Sequence, residues 1–169
     1  MLLPTLLLGI GLHVNPPYTD TAVIKQQHAC IVESSLVDAL IVQGKSYLGT
    51  PYKYAGYSSK GFDCSGLVSY IFGTLGGDLT RSSSGLSRLG EEVDFDQVQK
   101  GDLVFFTGRN KNSKSVGHVA FVIGGKGDHM LMLHATSRGV VIDNLSEISY
   151  YQERFLFAKR LDYSTLFNL

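Results

Sequence analysis

One cysteine in this chain stands where its chemistry would be unusual. Residues 63–66 are Asp-Cys-Ser-Gly, and apolar residues such as Leu67 and Ile71 follow at helical spacing. Cys64 therefore falls in the first turn of a predicted helix, where unpaired backbone N–H groups and the helix dipole favour an anion. Such a position lowers a thiol pKa and would stabilise an oxyanion, which indicates nucleophilic catalysis. A small buried helix residue is the alternative interpretation, since free cysteines are commonly buried.

The chain has five histidines, and two of them are spaced to act on such a cysteine. His118 opens one predicted strand and His134 closes the next, with a Gly-rich loop centred near residue 126 between them. The two ends of such a hairpin lie close to opposite each other, because both histidines are equally far from the loop centre. His118 would then take the thiol proton, and His134 would orient the His118 ring. Two unrelated sheet histidines, or two ligands of a metal ion, are the alternatives.

The remaining histidines and carboxylates do not favour a metal site. His13 and His28 lie in a presumed leader, and His129 lies in a turn that is predicted to be exposed. Zinc would need a third and a fourth ligand, and Asp63 and Asp128 are the carboxylates that offer themselves. The sequence therefore predicts neither a metal nor a cofactor.

Helices are predicted in the first half of the chain and strands in the second. One helix is predicted to start at Ser34 or Ser35 and a second at Cys64, with Asp63 as N-cap of the second. The predicted strands are apolar runs bounded by turn residues, at 103–106, 118–123, 130–134, 140–142 and 155–159. This order predicts an α+β fold in which the helices pack on one face of an antiparallel sheet.

Composition argues against several classes of function. The 169 residues suffice for one domain with its own core, and 15 basic residues balance 15 acidic ones. This zero net charge lacks the basic excess that nucleic-acid binding requires. Cys30 and Cys64 provide neither a disulfide scaffold nor a CxxC zinc motif. Cys30 is interpreted as a buried or half-buried thiol.

Residues 1–33 are predicted to be a leader and linker, and residues 34–169 the catalytic domain. Residues 2–12 are nearly all apolar but too short to span a bilayer, so no stable membrane span is predicted. Their length suits an export signal, although no basic residue precedes Lys25 and no Ala-x-Ala cleavage site is present. An apolar strand or arm packed on the domain is the alternative.

Five segments taken together resemble the NlpC/P60 family of cell-wall peptidases. They are YLGTPYKYAGYSSKGFDCSGLVSYIF at 47–72, LTRSSS at 79–84, KGDLVFF at 100–106, GHVAFVIG at 117–124 and HATSRGVVI at 134–142. The match runs from about residue 35 to residue 161, with the motifs in the family's order. The resemblance implies a papain-like α+β fold and a Cys-His-His triad. In that triad Cys64 matches the nucleophile, His118 the base and His134 the third member.

The resemblance also implies a substrate and its contacts. It implies hydrolysis of peptide bonds in peptidoglycan stem peptides, most typically the bond from γ-D-glutamyl to a diamino acid. The protein would then act in the cell envelope or outside the cell, in the periplasm if the source is Gram-negative. Tyr52 would place its hydroxyl near the oxyanion, and Asp63 and Ser65 would contact the substrate backbone. Arg81 and Arg138 could pair with stem-peptide carboxylates, but Arg138 is better interpreted as a solvated surface charge.

Two departures from the family pattern bear on substrate preference. Tyr54-Ala55-Gly56 stand where the family often has a Trp and a second Gly, and Gly85-Leu86 stand where it often has a Gln. Neither departure touches the triad.

The same Cys-His-His triad would also serve an amidase or an acyltransferase. A catalytically silent wall-binding module, with the same groove, is the alternative from a different class.

Overall fold

The computed structural model describes residues 21–125 and 129–169. The helices in these ranges are α1 (Thr21–Lys45), α2 (Cys64–Thr74), α3 (Ser83–Leu86), α4 (Ser149–Gln152) and α5 (Tyr163–Phe167). The strands are β1 (Tyr57–Ser58), β2 (Gly61–Phe62), β3 (Glu91–Val93), β4 (Leu103–Thr107), β5 (Val116–Gly124), β6 (Leu131–Thr136), β7 (Gly139–Asn144) and β8 (Phe155–Arg160). Short 3-10 turns at Phe95–Gln97 and Leu145–Glu147 join some of these elements.

Six strands form one antiparallel sheet in the order β3-β8-β4-β5-β6-β7. Helices α1 and α2 pack on one face of it, through a core that includes Leu67, Phe105 and Leu133. The predicted α+β class is thereby confirmed. The opposite face is covered by the shorter elements around α4, through a second cluster that includes Met132 and Tyr151. The sheet is therefore buried on both sides.

The first helix begins well before its predicted start. Because α1 begins at Thr21, the predicted start at Ser34 or Ser35 was wrong, and residues 21–33 are helical. Burial explains the difference, since the buried residues of α1 are Val37, Leu40, Ile41 and Gly44, all in its second half. Apolar periodicity is visible only where a helix packs against a core. Cys30 is exposed on this helix, so its predicted burial was wrong as well.

The leader predicted from the sequence is only partly covered by the structure. Its apolar segment, residues 2–12, and His13 lie outside the described residues. The boundary at residue 33 stays a prediction, although α1 runs through it without a break. Among the described helices, none is both long enough and apolar enough to cross a membrane.

A glycine lets the second half of α1 approach the sheet. A Cβ atom at Gly44 would overlap the Leu133 side chain and would lie 3.0 Å from Cδ1 of Ile71. Leu133 belongs to β6 and Ile71 to α2, so Gly44 sits where three elements meet. This close packing fixes α2 on the sheet and therefore positions its first residue, Cys64.

A buried carboxylate ties the turn before β4 to β8. Asp102 is 2% exposed, and its oxygens accept hydrogen bonds from Arg160 Nε at 3.1 Å and from Arg160 Nη2 at 3.0 Å. The backbone N–H of Gln99 donates to the same carboxylate at 2.9 Å. The paired guanidinium contacts give this ion pair a defined geometry.

We expect Asp102→Ala to lower the free energy of unfolding by about 2 kcal/mol, because the Gln99 N–H and the Arg160 guanidinium lose their acceptor. Urea unfolding measures the change. Asp38→Ala is the matched control, since Asp38 pairs with Lys100 at 2.7 Å on the surface. That variant should lose less than about 1 kcal/mol. Equal losses in the two variants would contradict the structural role of Asp102.

Candidate active site

The helix start that carries Cys64 is fixed by side-chain hydrogen bonds. Asp63 is the N-cap of α2, as predicted, and its Oδ1 accepts the Gly66 N–H at 2.6 Å. The Ser65 hydroxyl lies 3.0 Å from the same oxygen and 3.1 Å from the carbonyl oxygen of Arg81. Both residues that flank Cys64 are therefore engaged in holding the first turn of α2.

The sulfur of Cys64 is enclosed rather than open to solvent. The residue is 8% exposed, and burial raises the pKa of the Cys64 thiol. The backbone N–H groups of Val119, Ser65 and Cys64 itself act in the opposite direction, and the Asp63 carboxylate adds to the increase. The predicted lowering of this pKa was therefore wrong for the free protein, because burial outweighs the N–H groups. The contact with the Val119 N–H places the sulfur against β5, next along the strand from His118.

An enclosed, protonated thiol leads to a prediction about chemical labelling. We expect iodoacetamide to modify the exposed Cys30 faster than Cys64 at pH 7, because alkylation requires an accessible thiolate. Labelling of Cys64 should accelerate only at alkaline pH, because burial raises its pKa above the ordinary value of a thiol. Peptide mass mapping follows both sites in one sample, and the variants Cys30→Ser and Cys64→Ser assign the signals. Faster modification of Cys64 than of Cys30 at neutral pH would refute the raised pKa.

Strands β5 and β6 bring the two predicted histidines together. Nε2 of His118 lies 2.9 Å from Nδ1 of His134. The register Phe121↔Leu133 sets the histidines diagonally across the strand pair, on one face, rather than directly opposite. The proximity predicted from their spacing is confirmed, with a small offset in register.

The environment of the histidine pair favours a neutral base. His134 is fully buried and His118 is half-buried. Burial, and then the neighbouring His134, lower the pKa of His118 to about 3. His118 is therefore unprotonated at neutral pH and has a lone pair with which to accept a proton.

An aspartate that was not predicted from the sequence extends the hydrogen-bonded histidine pair to three residues. Oδ2 of Asp143 lies 2.9 Å from Nε2 of His134, and the Arg138 guanidinium contacts the same oxygen. Burial raises the pKa of Asp143, but the hydrogen bonds from His134 and Arg138 outweigh it and leave that pKa below its ordinary value. Asp143 is therefore an anion. Arg138 is its ion-pair partner, and its side chain is still 56% exposed, so Arg138 is a surface charge as predicted but has an ion pair that was not predicted.

The second hairpin contained the information needed to find Asp143. Strands β6 and β7 pair about a tight turn, with Thr136 opposite Gly139 and His134 opposite Val141. Asp143 lies two residues beyond Val141, which makes it a same-face diagonal neighbour of His134. The spacing argument that joined the two histidines would have joined His134 to Asp143 as well. Asp128, one of the two carboxylates considered instead, lies outside the described residues.

Tyr151 is the other residue at this site that was not predicted. Its ring stacks on His118 at 5.6 Å between centroids and lies 5.0 Å from the His134 ring. Burial and the Asp143 carboxylate raise the pKa of Tyr151 to about 12, so its hydroxyl keeps its proton. The tyrosine covers both imidazoles and shields their hydrogen bond from water, which strengthens that bond.

The other predicted site residues occupy different positions around the cysteine. Tyr52 is 43% exposed, and burial and then the charges of Cys64 and Asp63 raise its pKa. Arg81 directs its guanidinium onto the ring of Tyr57, 4.0 Å from the centroid. Of the residues predicted to bind substrate, Asp63 and Ser65 thus flank Cys64 at the start of α2. The Arg81 side chain packs on Tyr57 instead.

A groove with a volume of about 620 Å³ opens beside the histidine pair. The residues that line it include Tyr52, Arg109, His118, Arg138, Tyr150 and Tyr151. In the part of the chain that the structure describes, no three His, Cys, Asp or Glu side chains are grouped as metal ligands would be. The groove therefore offers an imidazole, tyrosine hydroxyls and guanidinium groups to a bound molecule.

The protein therefore has an α+β fold in which a cysteine at the start of a helix packs against a sheet that carries a pair of hydrogen-bonded histidines. The sequence model of the NlpC/P60 family matches residues 49–160, more than half of the chain. The chain belongs to the NlpC/P60 family.

Three known proteins illustrate the similarity. The chain is 39% identical over 122 residues to a γ-D-glutamyl-L-lysine dipeptidyl-peptidase of Bacillus cereus. The aligned region covers 72% of this chain but 36% of that relative. It therefore spans little more than a third of that protein. The "Probable endopeptidase NlpC" of Escherichia coli is 32% identical over 160 residues, with 92% of this chain and 93% of the relative covered. The crystal structure of an NlpC/P60 family protein from Bacillus cereus superposes with a TM-score of 0.65 at 41% identity, covering 73% of this chain and 39% of that one.

Proposed function

We propose that the protein is a cysteine-type endopeptidase of peptidoglycan stem peptides, which hydrolyses the bond from γ-D-glutamyl to a diamino acid. The observation that carries the proposal is the series of hydrogen bonds from Asp143 through His134 to His118, together with the contact between the buried Cys64 thiol and the backbone N–H of Val119, the next residue after His118. A nucleophile, a base and an orienting group in series are what acyl transfer requires. The activity for which the Bacillus cereus relative is named, that of a γ-D-glutamyl-L-lysine dipeptidyl-peptidase, supports the choice of bond.

The position of each proton in this series of hydrogen bonds follows from the negative charge of Asp143 at its end. Asp143 can only accept, so His134 carries a proton on Nε2 and donates it to Oδ2. Nδ1 of His134 is then an acceptor, and His118 donates to it from Nε2. Nδ1 of His118 consequently retains its lone pair. That nitrogen is the one available to remove the thiol proton of Cys64.

The resting site holds a thiol and a neutral imidazole rather than an ion pair. Burial raises the pKa of Cys64 and lowers the pKa of His118, and both shifts oppose charge separation. Proton transfer therefore accompanies attack on a bound carbonyl, when the developing oxyanion balances the imidazolium. The site becomes strongly nucleophilic only with substrate in place.

The reaction proceeds in two acyl-transfer steps. As His118 takes the thiol proton, the Cys64 sulfur bonds to the carbonyl carbon and the C=O electron pair moves onto oxygen. The N–H groups at the start of α2 and the Tyr52 hydroxyl stabilise that oxyanion, while Asp143 balances the imidazolium through His134. His118 then gives its proton to the leaving amine as the C–N bond breaks. A water molecule deprotonated by His118 finally hydrolyses the thioester.

Three residues are proposed to bind the acyl part of the substrate. Asp63 and Ser65 flank the nucleophile and contact the substrate backbone, and Arg81 pairs with a stem-peptide carboxylate. For Arg81 this requires its guanidinium to leave the Tyr57 ring or to extend beyond it. Such substrates place the protein in the cell envelope or outside the cell, in the periplasm if its source is Gram-negative.

Digestion of purified sacculi, followed by mass analysis of the fragments, tests the proposed bond. An endopeptidase of this type releases fragments that end in D-glutamate and fragments that begin with the diamino acid. An amidase would release whole stem peptides from the glycan, and an acyltransferase would leave the stems uncut. Either of these patterns would exclude the proposed endopeptidase.

A further inference from the structure

We propose that the groove beside His118 binds a free carboxylate of the leaving fragment, and that Arg109 and Arg138 select substrates that have one. The inference rests on the proposed peptidase function and adds a substrate preference to it. Two observations support the inference. The groove lies beside the residue that protonates the leaving amine, and its lining includes two arginines.

The groove lies on the leaving-group side of the scissile bond. His118 lines it, and His118 is the residue that gives its proton to the leaving amine. Asp63 and Ser65 lie instead at the start of α2, where they hold the first helical turn. A substrate whose acyl part contacts these two residues therefore extends its amine part past His118 into the groove.

The described residues that line the groove include cationic side chains but no acidic one. Of the described residues that line it, Arg109 and Arg138 are the permanent cations, and none is Asp or Glu. Asp143 pairs with one nitrogen of Arg138, and the Arg138 side chain is still 56% exposed. Arg109 is exposed, and within the described ranges its guanidinium has no ion-pair partner. Two guanidinium groups thus remain able to donate hydrogen bonds into the groove.

One of these arginines is held in place before substrate arrives. Arg138 occupies the turn between β6 and β7, where its backbone N–H donates to Thr136 Oγ1 at 3.1 Å. The contact with Asp143 fixes its side chain as well. A cation positioned in advance loses little conformational freedom when it binds an anion, so it contributes more to affinity than a free surface arginine.

Guanidinium groups favour carboxylates, which they bind through paired hydrogen bonds. A leaving fragment can supply a carboxylate in two ways. The diamino acid can carry one at the end of its side chain, as diaminopimelate does and lysine does not. The fragment can also end in a main-chain carboxylate. The side-chain ammonium of lysine would gain nothing from either arginine.

Four synthetic peptides separate these sources. Each begins with L-Ala-γ-D-Glu and continues with lysine amide, lysine free acid, diaminopimelate with only its side-chain carboxylate free, or fully amidated diaminopimelate. We expect kcat/KM to be about fivefold higher for a peptide with a carboxylate in the leaving residue than for its amide, as exposed charge pairs allow. The acid peptide whose kcat/KM exceeds that of its amide identifies which carboxylate the groove binds.

Variants of the loop before β5 test the role of Arg109. Arg109→Gln should reduce the ratio of kcat/KM between acid and amide substrates toward one, and Arg109→Lys should retain part of it. Lys114→Gln removes the same charge from the same loop outside the groove lining and should leave the ratio unchanged. Equal cleavage of acids and amides, or a ratio that survives Arg109→Gln, would overturn the inference alone. No cleavage of any peptide would overturn the proposed function together with it.

Discussion

Replacement of Cys64 by alanine should reduce kcat/KM for a γ-D-glutamyl-diamino acid peptide by about 10,000-fold or more, because no other group can form the thioester. The fold should persist, since the change removes one sulfur atom and leaves the Asp63 cap and its bond to Gly66 in place. Chromatographic separation of the cleaved peptide measures the rate. Thermal unfolding measured on the same sample shows whether the fold is retained.

The other cysteine supplies the matched control for this prediction. Cys30→Ala removes a thiol that is exposed on α1, and its activity should equal that of the parent protein. Full activity in Cys64→Ala would end the nucleophile hypothesis. A folded parent protein that binds sacculi but cleaves no peptide would identify a silent wall-binding module instead.

Replacement of Asp143 by alanine should lower kcat by about 100-fold with little change in KM, an effect typical of residues that orient a catalytic group. The loss has two physical causes. Without the carboxylate, His134 is free to exchange its tautomer, so the hydrogen bond that keeps the His118 proton on Nε2 and leaves its lone pair on Nδ1 is no longer enforced. Arg138 is also left without its counter-charge and opposes the imidazolium that forms during attack. Steady-state kinetics on a synthetic stem peptide separates kcat from KM.

Two further variants separate catalysis from stability at this position. Asp143→Asn keeps an oxygen that can accept from both His134 and Arg138 but lacks the negative charge, so its kcat should fall between those of the parent and Asp143→Ala. Asp94→Ala is the control, since Asp94 is exposed and its side chain caps nothing. An unchanged kcat in folded Asp143→Ala would show that the aspartate is merely structural.

The elements of the fold were predictable to the extent that local rules shape them. The five predicted strands correspond to β4–β8, because short apolar runs bounded by turn residues generally form strands. The start of α1 was not predictable, since residues 21–33 show no apolar periodicity and are almost all exposed. Its second half was recognisable because it packs on the core at Leu40 and Ile41.

Residue spacing alone was enough to predict that Cys64 begins a helix capped by Asp63, and that His118 and His134 meet across a hairpin. Both conclusions follow from spacing along the chain, which covalent geometry converts into distance within a turn or a strand pair. The direction of the Cys64 pKa shift and the packing of Tyr151 on the histidines became evident from the folded structure alone. These depend on how deeply a group is buried and on which charges surround it. Burial and charge pairing arise from residues far apart in the chain, and no local pattern encodes them.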